Sequence, residues 1–181
     1  MTLRNTSTGY GLVAIALHWS MALVVIGLFA LGLWMTSLDY YDAWYKRGPE
    51  LHKGIGVLLF LVLTSRLLWR WSNPLPRPEP THAPWERRLA GIAHRALYVL
   101  MFAVMIAGYL ISTADGRSIN VFGLFSVPAT LSGLPEQEDI AGLVHEWLAY
   151  SLIGLATLHA LAALKHHFID RDRTLARMLG R

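Results

Sequence analysis

Cysteine is absent from the chain. That absence excludes disulfides, iron–sulfur clusters, thiolate zinc sites and covalent c-type haem attachment. It leaves the compartment open, because a membrane protein without cysteine can face either side. Charge is also scarce: Asp, Glu, Lys and Arg make up 15% of 181 residues, against roughly 25% in a soluble domain. With 54% apolar residues, seven Trp and a mean hydropathy of +0.40, the composition argues against a soluble globular protein and against disorder. The net charge of +4 is modest, and no nucleic-acid partner is expected. What remains is a single membrane domain, residues 1–181, without internal repeats.

A membrane-crossing helix needs about 20 mostly apolar residues at 1.5 Å each to traverse about 30 Å of hydrocarbon. Four segments qualify, and the spans are expected at about 12–35, 51–71, 92–114 and 142–168. Residues 12–35 carry no formal charge; the run is longer than a signal-peptide core of roughly 7–15 residues, so it is read as a span. Asn73-Pro-Leu-Pro-Arg-Pro-Glu-Pro80 cannot be helical and ends the second span. The third connection, Asp115 to Ile140, is broken by Gly116, Gly123, Pro128, Gly133 and Pro135 and reads as a loop. The expected fold is therefore all-α, an integral membrane four-helix bundle.

Orientation follows from where Lys and Arg sit. Residues 66–95 hold six and residues 165–181 hold five, whereas residues 37–50 and 114–140 hold two and one beside seven acidic groups. Positive charge stays cytoplasmic, so both termini and the middle connection are expected inside. A multi-pass membrane protein results, its lipid partner being the bilayer itself.

Ionisable groups within spans are costly and point to function. His145 and His159 lie fourteen residues apart on the fourth span, about 21 Å of helix rise, with a residual rotation of about −40° that keeps both on one face. The second span enters from outside and puts His52 level with His145. The first enters from inside and puts His18 level with His159. A lone His in a span is commonly satisfied by a neighbouring helix; four that form two level pairs fit two six-coordinate haems in the bundle core, which need nitrogen donors on both faces. Metal-transport sites usually add Asp or Glu, and no acidic residue lies at midspan. Small residues on the same faces (Ala149, Ala156, and Gly54 and Gly56 on the second span) are expected to leave room for the macrocycles. His82, in the Pro-rich connection, is read as solvated.

Ala16-Leu-His18-Trp19, Leu51-His52-Lys-Gly54-Ile-Gly56, His145-Glu146 with His159, and the tail Leu164-Lys-His166-His-Phe168 followed by Asp172-Arg-Thr-Leu175 together resemble the bacterial cytochrome b-561 family, over nearly the whole chain. Within it, the pattern is most similar to the small four-helix type described as superoxide:ubiquinone oxidoreductase. The resemblance implies a bacterial inner-membrane protein with two haem b groups. His18, His52, His145 and His159 would be axial ligands to haem iron. Electrons would pass between a small donor at the outer face, with superoxide suspected, and the quinone pool.

The chain is also similar to cytochrome b subunits that anchor hydrogenases and dehydrogenases. A conduit for a partner redox subunit is therefore the alternative to a quinone-linked oxidoreductase, and a homo-oligomer is possible. A membrane ion transporter using the same histidines is a more distant alternative. No catalytic residue is assigned. Arg66, fourteen residues after His52 and so on its face, is a candidate propionate or quinone contact, because a guanidinium grips carboxylates. His166, seven residues past His159, is a second, and His94 could act in the same way from the third span. Lys53, beside His52, could attract an anionic donor.

Overall fold

The structure is a computed structural model that describes residues 2–181. Four long helices dominate it: α1 (Leu12–Met35), α2 (Arg47–Ser72), α3 (Pro84–Ser112) and α4 (Gln137–Phe168). All four are long and apolar enough to cross a membrane. Two short strands, β1 (Ile119–Val121) and β2 (Phe125–Val127), form a hairpin between α3 and α4, and a five-residue helix, α5 (Thr174–Met178), follows α4. The fold class is all-α.

Helix ends are set by side chains in the polar segments. Gly11 N–H donates to Asn5 Oδ1 at 2.9 Å as α1 begins; a Cβ on Gly11 would overlap the backbone of Leu3 and Arg4, so only glycine lets the N-terminal segment fold over this helix end. Asn73 donates to the Trp69 carbonyl at 3.1 Å and closes α2 just before the proline run. At the start of α3, Glu86 reaches back to accept from Ala83 N–H at 2.9 Å, the return half of a capping box, with Pro84 at the first helical position where its missing N–H costs nothing. Gln137 opens α4 and donates to Leu110 O and Leu131 O at 3.0 and 3.1 Å, fastening that end to α3 and the preceding loop. These polar ends extend α2, α3 and α4 beyond the apolar stretches that define the spans.

The chain divides into two compact units, to each of which every long helix contributes one segment. Unit 1 comprises residues 2–22, 62–98 and 154–181; unit 2 comprises residues 23–61 and 99–153. Met21 and Leu63 are the fully buried side chains of unit 1, and Leu59, Val104, Ile119, Val121 and Leu152 form the core of unit 2. Large apolar side chains also face outward, such as Leu158 in unit 1 (63% exposed) and Leu23 in unit 2 (69%). In water such surface would be a liability; on membrane-crossing helices it meets hydrocarbon.

The third connection is more ordered than a loop. Ile119 pairs with Val127 and Val121 with Phe125 in an antiparallel ladder. Phe122 (φ 53°) and Gly123 (φ 74°) make the turn, with Leu124 N–H on Val121 O at 2.9 Å and Gly123 N–H on Asn120 Oδ1 at 2.7 Å. Two successive positive φ angles match the right-handed twist of a tight hairpin.

Candidate functional site

In unit 2, α2 carries His52 and α4 carries His145, and their rings lie 6.0 Å apart between centroids with planes at 71°. His145 Nδ1 sits 2.8 Å from the Val104 carbonyl of α3. A carbonyl can only accept, so Nδ1 carries the proton and Nε2 keeps its lone pair. His52 Nδ1 is buried and has no hydrogen-bond partner among the described residues.

Two glycines make room for these rings. A Cβ on Gly32 of α1 would lie 3.4 Å from His52 Cε1, and one on Gly108 of α3 would lie 3.0 Å from His145 Cε1. Beside the pair is a cavity of about 850 Å³, lined largely by apolar side chains such as Phe29, Val57, Met105 and Leu152, with Lys53 among the few polar ones. That volume falls within the range of cofactor and ligand pockets.

In unit 1, His18 of α1 and His159 of α4 stand 6.3 Å apart between centroids, with planes at 73°. His94 of α3 places its ring 5.2 Å from that of His159. Arg66 Nη2 donates to His18 Nδ1 at 3.0 Å, which requires a lone pair on that nitrogen. The guanidinium also lies 5.8 Å from the centre of the Tyr98 ring.

The structure thus brings His52 together with His145, and His18 together with His159, and sets Arg66 on the second pair. It places His166 elsewhere within unit 1. Its ring packs against that of His82, with centroids 4.2 Å apart and planes tilted by 35°, and its Nδ1 is 2.7 Å from Asp170 Oδ2. His82 is not solvated: its side chain is 15% exposed and its Nε2 lies 2.7 Å from Asp172 Oδ2. The expectation failed because the partner is ninety residues away in the chain. Gly54 has the hairpin as its nearest neighbour. A Cβ there would lie 2.6 Å from the Phe122 ring, so this glycine receives the hairpin tip. Gly32, Gly108 and the Val104 carbonyl escaped sequence reasoning; their one signal is the set of glycines interrupting otherwise apolar helices.

Comparison with known proteins places these features in a family. Residues 9–181 match the family described as prokaryotic cytochrome b561. The chain is 54% identical to cytochrome b561 homolog 2 of Escherichia coli K12 over 181 residues, covering all of this chain and 96% of that protein. It is 30% identical to the probable superoxide oxidase CybB of Yersinia pestis over 171 residues, covering 94% and 95%. It is 28% identical to cytochrome b562 of Cereibacter sphaeroides, covering 94% and 95%. A multi-pass membrane cytochrome of the b type, serving electron transfer, accounts for the four long helices and the paired, half-buried histidines, and the chain belongs to the prokaryotic cytochrome b561 family.

Proposed function

We propose that the protein binds two b-type haems, one between His52 and His145 and one between His18 and His159, and transfers electrons singly between a donor at the outer face and a membrane quinone. The observation that carries this reading is the spacing of the rings. With a metal–imidazole bond of about 2 Å and a donor nitrogen about 1 Å from its ring centre, two imidazoles on opposite sides of one metal stand roughly 6 Å apart between centroids. The two pairs measure 6.0 and 6.3 Å.

When bound, each haem supplies reversible one-electron chemistry. The chain supplies the surroundings. Val104 O fixes the tautomer and aim of His145, the usual way a ligand imidazole is oriented. Gly32 and Gly108 let α1 and α3 approach the rings, and the apolar lining of the cavity excludes water. Arg66 provides a permanent cation beside His18, suited to a propionate or to a reduced quinone.

Superoxide is the suspected donor, supported by the name of the Yersinia pestis relative and by Lys53 on the cavity wall of unit 2. Membrane orientation follows the Lys and Arg distribution, with both termini cytoplasmic and the protein in the bacterial plasma membrane.

The test is haem content and reduction. His52→Ala should halve the haem per chain and leave the spectrum of the remaining haem near wild type. Superoxide should reduce the purified wild type, and added ubiquinone should reoxidise it. A full haem complement in His52→Ala would overturn the pairing, and reduction by superoxide that quinone cannot reverse would overturn the acceptor.

A further inference from the structure

A second cluster of ligand-type side chains lies in unit 1, apart from both histidine pairs. After α4 the chain reverses at Arg171 (φ 54°), and Asp172 N–H donates to the His166 carbonyl at 3.0 Å. Asp172 is thereby turned back over the end of α4, where the Pro-rich connection delivers His82. Asp172 Oδ2 lies 2.7 Å from His82 Nε2 and 3.4 Å from His166 Nδ1. All three donor atoms fall within 4.8 Å of one another. In a tetrahedral zinc site with bonds of about 2.0–2.1 Å, neighbouring donor atoms are about 3.3 Å apart.

Charge and hydrogen bonding mark this cluster as incomplete. The Asp172 side chain is 2% exposed, yet among the described residues no Lys or Arg pairs with it. Lys165 is engaged by Glu86 at 3.0 Å and Asp170 at 2.7 Å, and Arg177 by Glu79 at 2.8 Å. A buried carboxylate needs a cation. His166 Nδ1 is buried and makes no directed hydrogen bond, although carboxylate oxygens lie 2.7 and 3.4 Å away. His82 Nε2 is hydrogen-bonded to Asp172 Oδ2, which leaves His166 Nδ1 as the donor atom without an aligned partner, and a bound ion would engage all three.

The surroundings are already fixed. Thr174 N–H donates to Asp172 Oδ1 at 2.8 Å and orients the carboxylate, leaving Oδ2 toward the imidazoles. Arg177 Nη1 donates to Arg77 O at 2.8 Å, a second tie between the tail and the connection that carries His82. Ligands held in this way by outer partners lose little freedom on binding.

We propose that His82, His166 and Asp172 form a binding site for a divalent first-row transition ion of the zinc type. The protein provides two nitrogens and one oxygen, and a fourth position is open to water or to Asp170. Bound there, the ion would clasp the C-terminal tail to the α2–α3 connection, with no part in the electron path. Imidazole and carboxylate donors suit zinc, whereas calcium and magnesium prefer oxygen alone.

Haem-loaded protein in detergent, stripped of metal with a chelator, would be dialysed against zinc chloride and its zinc counted by mass spectrometry. One saturable equivalent per chain is expected. His82→Gln and Asp172→Asn should each weaken binding about tenfold or more, while His167→Gln, at a neighbouring histidine outside the cluster, should leave it unchanged. His82→Gln keeps every bond within the tail and so guards against an Asp172→Asn variant that fails to fold. Zinc-edge absorption should show two imidazoles in the shell, separately from haem iron. Absence of saturable binding, binding that survives both cluster substitutions or falls equally with His167→Gln, or a shell without imidazole would overturn the proposal and leave the cluster a hydrogen-bonded clasp.

Discussion

At Arg66 a single side chain distinguishes the two histidine pairs. His145 gives its Nδ1 proton to a neutral carbonyl, whereas His18 Nδ1 receives a hydrogen bond from a guanidinium. A carbonyl acceptor on one ring nitrogen leaves the other free to donate to a metal, whereas a neutral His18 that accepts from Arg66 at Nδ1 carries its proton on Nε2, so holding a metal requires it to give up that hydrogen bond. In the proposed assignment the haem of His18 and His159 has its reduced state favoured by the fixed positive charge of Arg66. A unit charge about 8 Å from any redox centre, at an effective dielectric near 20, changes the balance by about 2 kcal/mol, on the order of 60–100 mV for a one-electron couple. Arg66→Leu should lower one midpoint potential by that order in a redox titration, with both haems retained. Two unchanged potentials would leave Arg66 without an electrostatic role at this pair.

Among the elements, α3 carries no ligand of either proposed haem, yet it sets the position of one through Val104 O and Gly108. A Cβ at Gly108 would approach His145 Cε1 to 3.0 Å, against 3.4 Å for Gly32 and His52, which is ordinary van der Waals contact. Gly108→Ala is thus expected to displace the His145 ring, at about 1–3 kcal/mol for overpacking a fitted core, and to lower haem occupancy of that pair. Gly32→Ala should be nearly silent. Haem content and thermal unfolding of the two variants would separate them; equal behaviour would show that the α3 to α4 approach is not the constraint.

The same helices show what was legible beforehand. Four long apolar runs and the fourteen-residue repeat of His145 and His159 can be read directly, because both depend on distances along one helix. Gly108 opposite His145, His82 opposite Asp172 and Arg66 on His18 depend on how separate helices and loops pack, and one chain's periodicity carries no information about that. The hairpin was hidden for another reason: its three-residue strands are too short for an alternating pattern, and the turn is made by Phe122 and Gly123 rather than by Asn-Gly.

For the whole molecule, charge divides as the two units do. Unit 1, which holds His18 and His159, carries twelve of the sixteen Lys and Arg but four of the twelve Asp and Glu. Unit 2, which holds His52 and His145, has the reverse bias. Cationic loops are retained on the cytoplasmic side during insertion, so the Pro-rich connection and both termini should be inside, and the 37–50 and 114–136 connections outside. The absence of cysteine makes this directly testable, since a single introduced thiol has no background. Ser118 lies exposed just before the hairpin, and Ser7 lies exposed in the N-terminal segment. In intact cells, a membrane-impermeant maleimide should label Ser118→Cys. It should label Ser7→Cys only after the membrane is opened. Haem content near wild type in both variants would show that the thiols leave the fold intact. The reverse labelling pattern would invert the protein in the membrane, and with it the assignment of His52 and His145 to the face that meets an external donor.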